Sequence, residues 1–396
     1  MNSLKEKIKQ LAEEFHSYTV EIRRYLHAHP EPSFEEFGTS KFIQSKLREL
    51  KIPFEIMAET GVIGLIQGEK PSDRVTALRA DIDALPIIEK NVLEYKSTRE
   101  GYMHACGHDA HTASLLGTAA ILNRLKASFG GTIKLIFQPG EEKVPGGASL
   151  LIGEGVLDNP APQSILGQHV APQIEVGKVG FRSGKYMASA DELYIYVKGK
   201  GGHGAMPDLN IDPVLIASHI IIALQQIVSR MANPKMPTVL SFGKLRAEGA
   251  TNIIPDEVYI EGTFRTFDEV WRADALGKMK KMAEMMAESM GGTCDFQIKK
   301  GYPFLVNNED LTEKMRTAAI DFLGQDKVED LDLWMASEDF AFYSQACPAT
   351  FYRLGTRNTE KGIVSPVHTP TFNIDETSLK IGSGLMAYLA LIELES

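Results

Sequence analysis

The chain has 396 residues, of which 43% are hydrophobic and 24% charged, a soluble-globular composition too long for one usual compact core, so two domains are predicted. Its formal net charge of -10, with no stripe of Lys and Arg, excludes a nucleic-acid partner, and no apolar run near the roughly 18 to 20 residues of a membrane span is expected. Cys106, Cys294 and Cys347 are odd in number and scattered, which excludes a disulfide framework and points to a reducing compartment.

The first predicted element is an amphipathic helix in "MNSLKEKIKQLAEEFHSYTVEIRRYL", with Leu4, Ile8, Leu11, Phe15, Tyr18 and Ile22 at helical spacing and no continuous apolar leader. A cytoplasmic protein is therefore expected. From residue 61 to about 170, "GVIGLIQG", "VTALRADID", "GTIKLIFQPGEE" and "SILGQHVAP" read as strands around the helical "HTASLLGTAAILNRLKA". That order predicts an α/β layer with a mixed, largely parallel sheet covered by helices.

Between about 185 and 300 the order becomes β-α-β-β-α-β: "ELYIYVKGK", "DPVLIASHIIIALQQIVSRM", "TVLSFGKLRA", "EVYIEGTFRTF", "WRADALGKMKKMAEMMAESM" and "TCDFQIKKG". This is the split βαβ arrangement of a ferredoxin-like domain. After residue 300 the mixture returns, with a helix around 308 to 324, a helical "SEDFAFYSQA", the strand "TFYRLGT" and a last helix from about 376. The expected fold is thus a discontinuous α/β domain, 1–184 with 301–396, interrupted by a ferredoxin-like domain over 185–300.

Four polar clusters follow or sit in apolar strands: Asp81 and Asp83, Glu141 and Glu142, His169, and His368. Open α/β sheets bind ligands at the carboxyl ends of their strands, so the clusters can converge on one crevice. In "HACGHDAH", Cys106 and His108 flank one glycine; if that loop is extended, both side chains lie on the same side as plausible metal ligands. A carboxylate of the Glu pair, His169 and His368 complete a nitrogen, sulfur and oxygen set suited to Zn, Mn, Co or Ni. The adjacent glutamates point in different directions, so one can ligate an ion while the other exchanges a proton with water and a leaving amine. A nucleophilic Cys106 paired with a histidine is the mechanistic rival, but it leaves the Glu pair and the other histidines unused.

Taken in order, "RADIDALP", "HACGHDAHT", "FQPGEE", "GQHV", "GKGGHGAMP", "TNIIPDEVYIEGTFRTF", "SEDFAFY" and "VHTP" resemble the M20 family of metal-dependent amidohydrolases, in the subgroup of auxin-conjugate hydrolases, hippurate hydrolases and N-acyl-amino-acid amidohydrolases. The resemblance implies that Cys106, His108, Glu142, His169 and His368 bind metal and that Glu141 is the general base and acid. It implies further that His203 reaches the active site of a neighbouring subunit, that Asn252 faces substrate, and that Arg265 holds a substrate carboxylate. The residues 185–300 would then be a lid and dimerisation domain. Asp81-Ile82-Asp83 stands where many members have His-x-Asp, and Cys106 where they have a bridging carboxylate, so one or two ions remain open and Asp83 is expected to orient a ligand.

The expectation is a cytoplasmic homodimer that hydrolyses the amide of an N-acyl amino acid with a divalent transition metal. A dipeptidase or carboxypeptidase using the same site, and a non-catalytic binding protein on this scaffold, are the alternatives.

Overall fold

The apolar strands read from the sequence pair into one eight-stranded mixed sheet. Its order is Phe54–Met57, Gly61–Gln67, Gly130–Gln138, Lys70–Asp81, Ser164–Glu175, Ala349–Arg357, Val179–Phe181 and Val328–Asp330. The central strands Gly130–Gln138, Lys70–Asp81, Ser164–Glu175 and Ala349–Arg357 are mutually parallel. Gly130–Gln138, Ser164–Glu175 and Ala349–Arg357 are buried over most of their length and Lys70–Asp81 from Val75 onward, as parallel strands covered on both faces must be. Since Ala349–Arg357 adds beside Ser164–Glu175, the late part of the chain completes the sheet begun by the early part.

The structure, a computed structural model, describes residues 2–395. It divides into two compact units: Met1–Tyr186 with Val306–Asp332 and Asp339–Ser396, and Met187–Leu305 with Leu333–Glu338. The segment Leu333–Glu338 thus groups with the second unit, whereas the late residues that flank it in sequence belong to the first.

In the first unit the helix His108–Arg124 is buried at every position from His108 through Leu122, so it lacks the one-sided pattern of a surface helix. It packs on the sheet and against the helices His16–Ala28 and Thr377–Leu394. Among the described residues, two helical stretches are apolar and long enough, by length and composition, to reach across a bilayer: Pro213–Met231 and Thr377–Leu394. That corrects the expectation that no such run exists. Thr377–Leu394 is a buried core helix, which passes the same test for a different physical reason.

The second unit follows the order β-α-β-β-α-β, in an antiparallel sheet Val239–Arg246, Glu257–Arg265, Asp191–Lys198, Thr293–Lys300. Leu193, Ile195 and Val197 alternate inward on the central strand and meet Ile216, Ile220 and Leu224 of the helix Pro213–Gln226 in a separate core. Asp191, buried, forms a two-pronged ion pair with Arg272 at 2.7 and 2.8 Å, tying the helix Glu269–Ser289 to the start of that strand.

Candidate metal centre

Strand register brings the polar clusters to one level. Asp81 pairs with Gln138, the residue before Pro139-Gly140-Glu141-Glu142, and His169 lies two residues beyond Gly167, the partner of Arg79. The clusters therefore meet at the carboxyl ends of neighbouring parallel strands.

The expected extended loop around Cys106 is absent, which corrects the reasoning from alternation. Gly107 takes φ +84°, and His108 is already the first residue of its helix. A Cβ on Gly107 would stand 2.5 Å from Val170 Cγ2, so the close turn needs glycine for space as well as for conformation. The turn still places Cys106 and His108 together, by folding the chain back instead of by extending it.

Cys106 Sγ lies 3.4 Å from His169 Nε2 and 3.3 Å from His368 Nε2. His368 Nε2 is 3.2 Å from Glu142 Oε1, and His108 Nε2 is 4.0 Å from the same oxygen and 3.9 Å from Glu141 Oε2. Two compact donor groups, Cys106–His108–His169 and Cys106–Glu142–His368, share the cysteine, while a third joins His108, Glu141 and Glu142. All six residues belong to the first unit. His368 holds φ +61°, rare for a residue with a Cβ, and its N–H donates to Ala105 O at 2.8 Å.

The nitrogens are prepared as ligands. His169 Nδ1 donates to Val170 O at 2.8 Å and His108 Nδ1 to Asp83 Oδ1 at 3.1 Å, which leaves Nε2 of each ring to face the other donors. Burial, and then the charge of Arg353, hold His169 well below the usual histidine range, so its imidazole is neutral. Burial opposes the imidazolium of His108, yet Asp81, Asp83 and Glu142 together push it up to about 10. The surroundings of His108 thus call for a positive charge. His108 Nε2 and Glu142 Oε1 are both buried without a hydrogen-bond partner, a costly state that a cation between them would relieve. With imidazoles, a thiol and carboxylates as donors, and a cation able to take the place of the proton on His108, the site fits a divalent transition ion.

Asp83 braces this set. Its Oδ2 accepts from Ser33 Oγ at 2.6 Å and from the N–H of Glu142 at 3.0 Å, while Oδ1 faces His108. Behind it lies a buried network that the sequence reading did not assign. His111, on the same helix face as His108, spends both nitrogens: Nδ1 donates to Asp81 Oδ1 at 2.6 Å and Nε2 accepts from Val170 N at 2.8 Å. Arg79 links Asp81 and Asp339, each at 2.8 Å, and Asp339 also accepts from Gln138 and the N–H of Ala148. His27 is likewise structural, held between Asp109 at 2.8 Å and Glu89 at 3.1 Å.

The other expected site residues lie in the second unit. Gly202–His203 pairs with Ile253–Ile254 as a short antiparallel ribbon, and the N–H of Gly204 donates to Asn252 O at 2.8 Å, so His203 and Asn252 are neighbours. Both are exposed. His203 Nδ1 accepts from Ala205 N at 3.1 Å, which puts the ring proton on Nε2 as a free donor. Arg265 donates to Met335 O at 2.9 Å, and burial lowers its basicity.

A large mixed α/β sheet carrying buried imidazole, thiol and carboxylate donors defines a metal-dependent hydrolase. The chain belongs to peptidase family M20/M25/M40, whose model matches residues 77–392. It is 38% identical over 392 residues to thermostable carboxypeptidase 1 of Saccharolobus solfataricus, covering 98% of each chain. To N-acetylcysteine deacetylase of Bacillus subtilis it is 40% identical over 388 residues, covering 96% of this chain and 98% of that one. Among solved structures, the Bacillus subtilis YXEP protein, described as a dinuclear metal-binding peptidase of the M20 family, is 36% identical with a TM-score of 0.84, over 97% of this chain and 99% of that one.

Proposed function

We propose that the protein hydrolyses the amide bond of N-acyl amino acids, releasing a carboxylic acid and a free amino acid. The observation that carries this reading is the gathering of Cys106, His108, Glu142, His169 and His368 around two orphaned donor atoms, with Glu141 beside them. These five residues would hold Zn, Mn, Co or Ni. Two donor groups sharing Cys106 favour two ions over one, in keeping with the dinuclear description of the similar YXEP protein. When bound, such an ion polarises the scissile carbonyl and lowers the pKa of water toward about 7.

Glu141 takes the proton from the attacking water as the new C–O bond forms and the carbonyl oxygen turns negative, then delivers that proton to the leaving nitrogen as the carbonyl reforms and the C–N bond breaks. His203 of the partner subunit donates from Nε2 to the carbonyl oxygen as negative charge grows there. Arg265 pairs with the free carboxylate of the amino acid, and Asn252 faces the substrate. Residues 185–300 act as lid and dimer interface. Leu215 and Ile222 on the helix Pro213–Gln226, 51% and 71% exposed, support a homodimer by offering an apolar face for a second copy. A cytoplasmic location suits the reduced state of Cys106, which forms no disulfide.

The N-acyl reading rests on the likeness to N-acetylcysteine deacetylase, and the likeness to a carboxypeptidase favours short peptides as the second reading. Turnover of N-acetyl amino acids against dipeptides separates the two. The mechanism is tested by Glu141→Gln, which should keep its metal content by elemental analysis and lose ~10²- to 10⁴-fold in turnover; a rate near wild type would refute the general-base role.

A further inference from the structure

The glutamate pair leaves its strand through a turn that is held from outside. Gly140, immediately before Glu141, takes φ +57°, and a Cβ there would stand 2.2 Å from Phe34 Cε1. Phe34 is itself left-handed, at φ +68°, an uncommon state for an aromatic residue. Both left-handed backbones are gripped by one side chain. Glu36 Oε1 accepts from the N–H of Gly140 at 2.8 Å and of Phe34 at 2.9 Å, and Oε2 accepts from Thr60 Oγ1 at 2.7 Å. Glu36 is fully buried.

Two residues further along, the N–H of Glu142 is held by Asp83, whose same oxygen accepts from Ser33 Oγ. The stretch Ser33–Glu36 therefore reaches both ends of the turn from which the glutamates diverge. We propose that Glu36 is a positioning residue for the glutamate pair: by holding the Gly140 amide it sets the backbone direction that sends Glu142 toward the metal donors and leaves Glu141 for proton transfer. The inference rests on the proposed roles of that pair.

What the position requires is acceptor geometry, not charge. Burial, followed by the negative charge of Asp83, raises the carboxyl of Glu36 to about 7, so a neutral group of the same shape suits the pocket. In Glu36→Gln the amide oxygen can face the two backbone N–H groups while its NH2 donates to the Thr60 hydroxyl. Glu36→Ala removes the grip, and Glu36→Asp keeps a carboxylate one methylene too short to reach the turn.

The three variants of the full chain are compared by kcat and KM on an N-acetyl amino acid at saturating Zn2+, by chelator-competition titration of Zn2+, and by thermal melting. Glu36→Gln should stay within about threefold of wild type in kcat and Zn2+ affinity. Glu36→Ala and Glu36→Asp should lose ~10- to 100-fold in kcat per folded molecule with KM within about twofold, and bind Zn2+ ~10-fold more weakly. A merely structural role would lower the melting temperature and leave kcat and Zn2+ affinity per folded molecule intact, and that result overturns the proposal; so does a Glu36→Gln chain as impaired as Glu36→Asp. Should Glu36→Ala fail to fold, the Asp and Gln pair decides alone. Glu141→Gln, run in parallel, keeps the two questions apart: full turnover in it defeats the proposed mechanism, whereas its loss beside unaffected Glu36 variants defeats only the positioning role.

Discussion

Changing Asp83 to asparagine replaces one buried oxygen by an NH2 group, and the contacts dictate two unfavourable outcomes. In the native site Oδ2 satisfies the Ser33 hydroxyl at 2.6 Å and the Glu142 N–H at 3.0 Å, while Oδ1 receives the His108 Nδ1 proton at 3.1 Å. If the amide oxygen stays with Ser33 and Glu142, the NH2 faces His108 Nδ1, which must then accept. The ring proton moves to Nε2, the atom that needs a free lone pair for metal. If the amide flips, the NH2 opposes the Glu142 N–H and leaves a buried donor unpaired, at a cost of about 1–3 kcal/mol. Losing the orienting partner of a metal-binding histidine weakens metal binding about 10- to 100-fold, or about 1.4–2.7 kcal/mol. Chelator-competition titration with Zn2+ measures this, and thermal melting in excess chelator separates metal affinity from folding. Asp83→Asn should bind Zn2+ 10- to 100-fold more weakly while its metal-free stability falls by no more than about 3 kcal/mol. Wild-type affinity in this variant would show that Asp83 does not set the His108 tautomer.

Cys106→Ala should lower bound metal in elemental analysis, since both compact donor groups include its sulfur; unchanged stoichiometry would remove it from the ligand set. A His203→Ala chain mixed with a Glu141→Gln chain should regain activity if His203 serves the partner's site, and confirmed mixed dimers without activity would count against that. Acid stability should respond to Asp375. Burial works against its charge, but the Thr377 N–H, Asn358 and Lys361 prevail and hold its carboxyl at about 2. Because that lies below its unfolded value near 3.9, its contribution is fully present above about pH 4 and is lost as pH falls toward 2. Urea denaturation at pH 5, 3 and 2 should show a shallower acid decline for Asp375→Asn than for wild type; parallel curves would contradict the assignment.

Much of the candidate site could be read because its donors are concentrated where apolar runs stop. Asp81 ends the strand-like "VTALRAD" and Glu141 follows the strand-like "TIKLIF" after Gln138-Pro139-Gly140, and a histidine or carboxylate in such a place is visible without coordinates. Glu36 carried no comparable signal. In "PEPSFEEFG" it is one acid beside another, and only the packing of Phe34 against Gly140 shows why that acid, and not Glu35, is buried. His111 stood in the quoted motif, three residues after His108, yet spacing could not reveal that Asp81 and the Val170 amide consume both its nitrogens.

The linear order of residues by itself determined the alternation of strands and helices, the β-α-β-β-α-β insertion, and the residue types able to bind metal. These follow from local periodicity and side-chain chemistry, which are properties of a short stretch of chain. The tertiary structure alone decided that His108 opens a helix after a left-handed Gly107, that Leu333–Glu338 groups with the second unit, and which atoms of each imidazole remain free. Those outcomes depend on the register of parallel strands and on contacts between residues far apart in sequence, such as Cys106 with His368, and no local pattern encodes them.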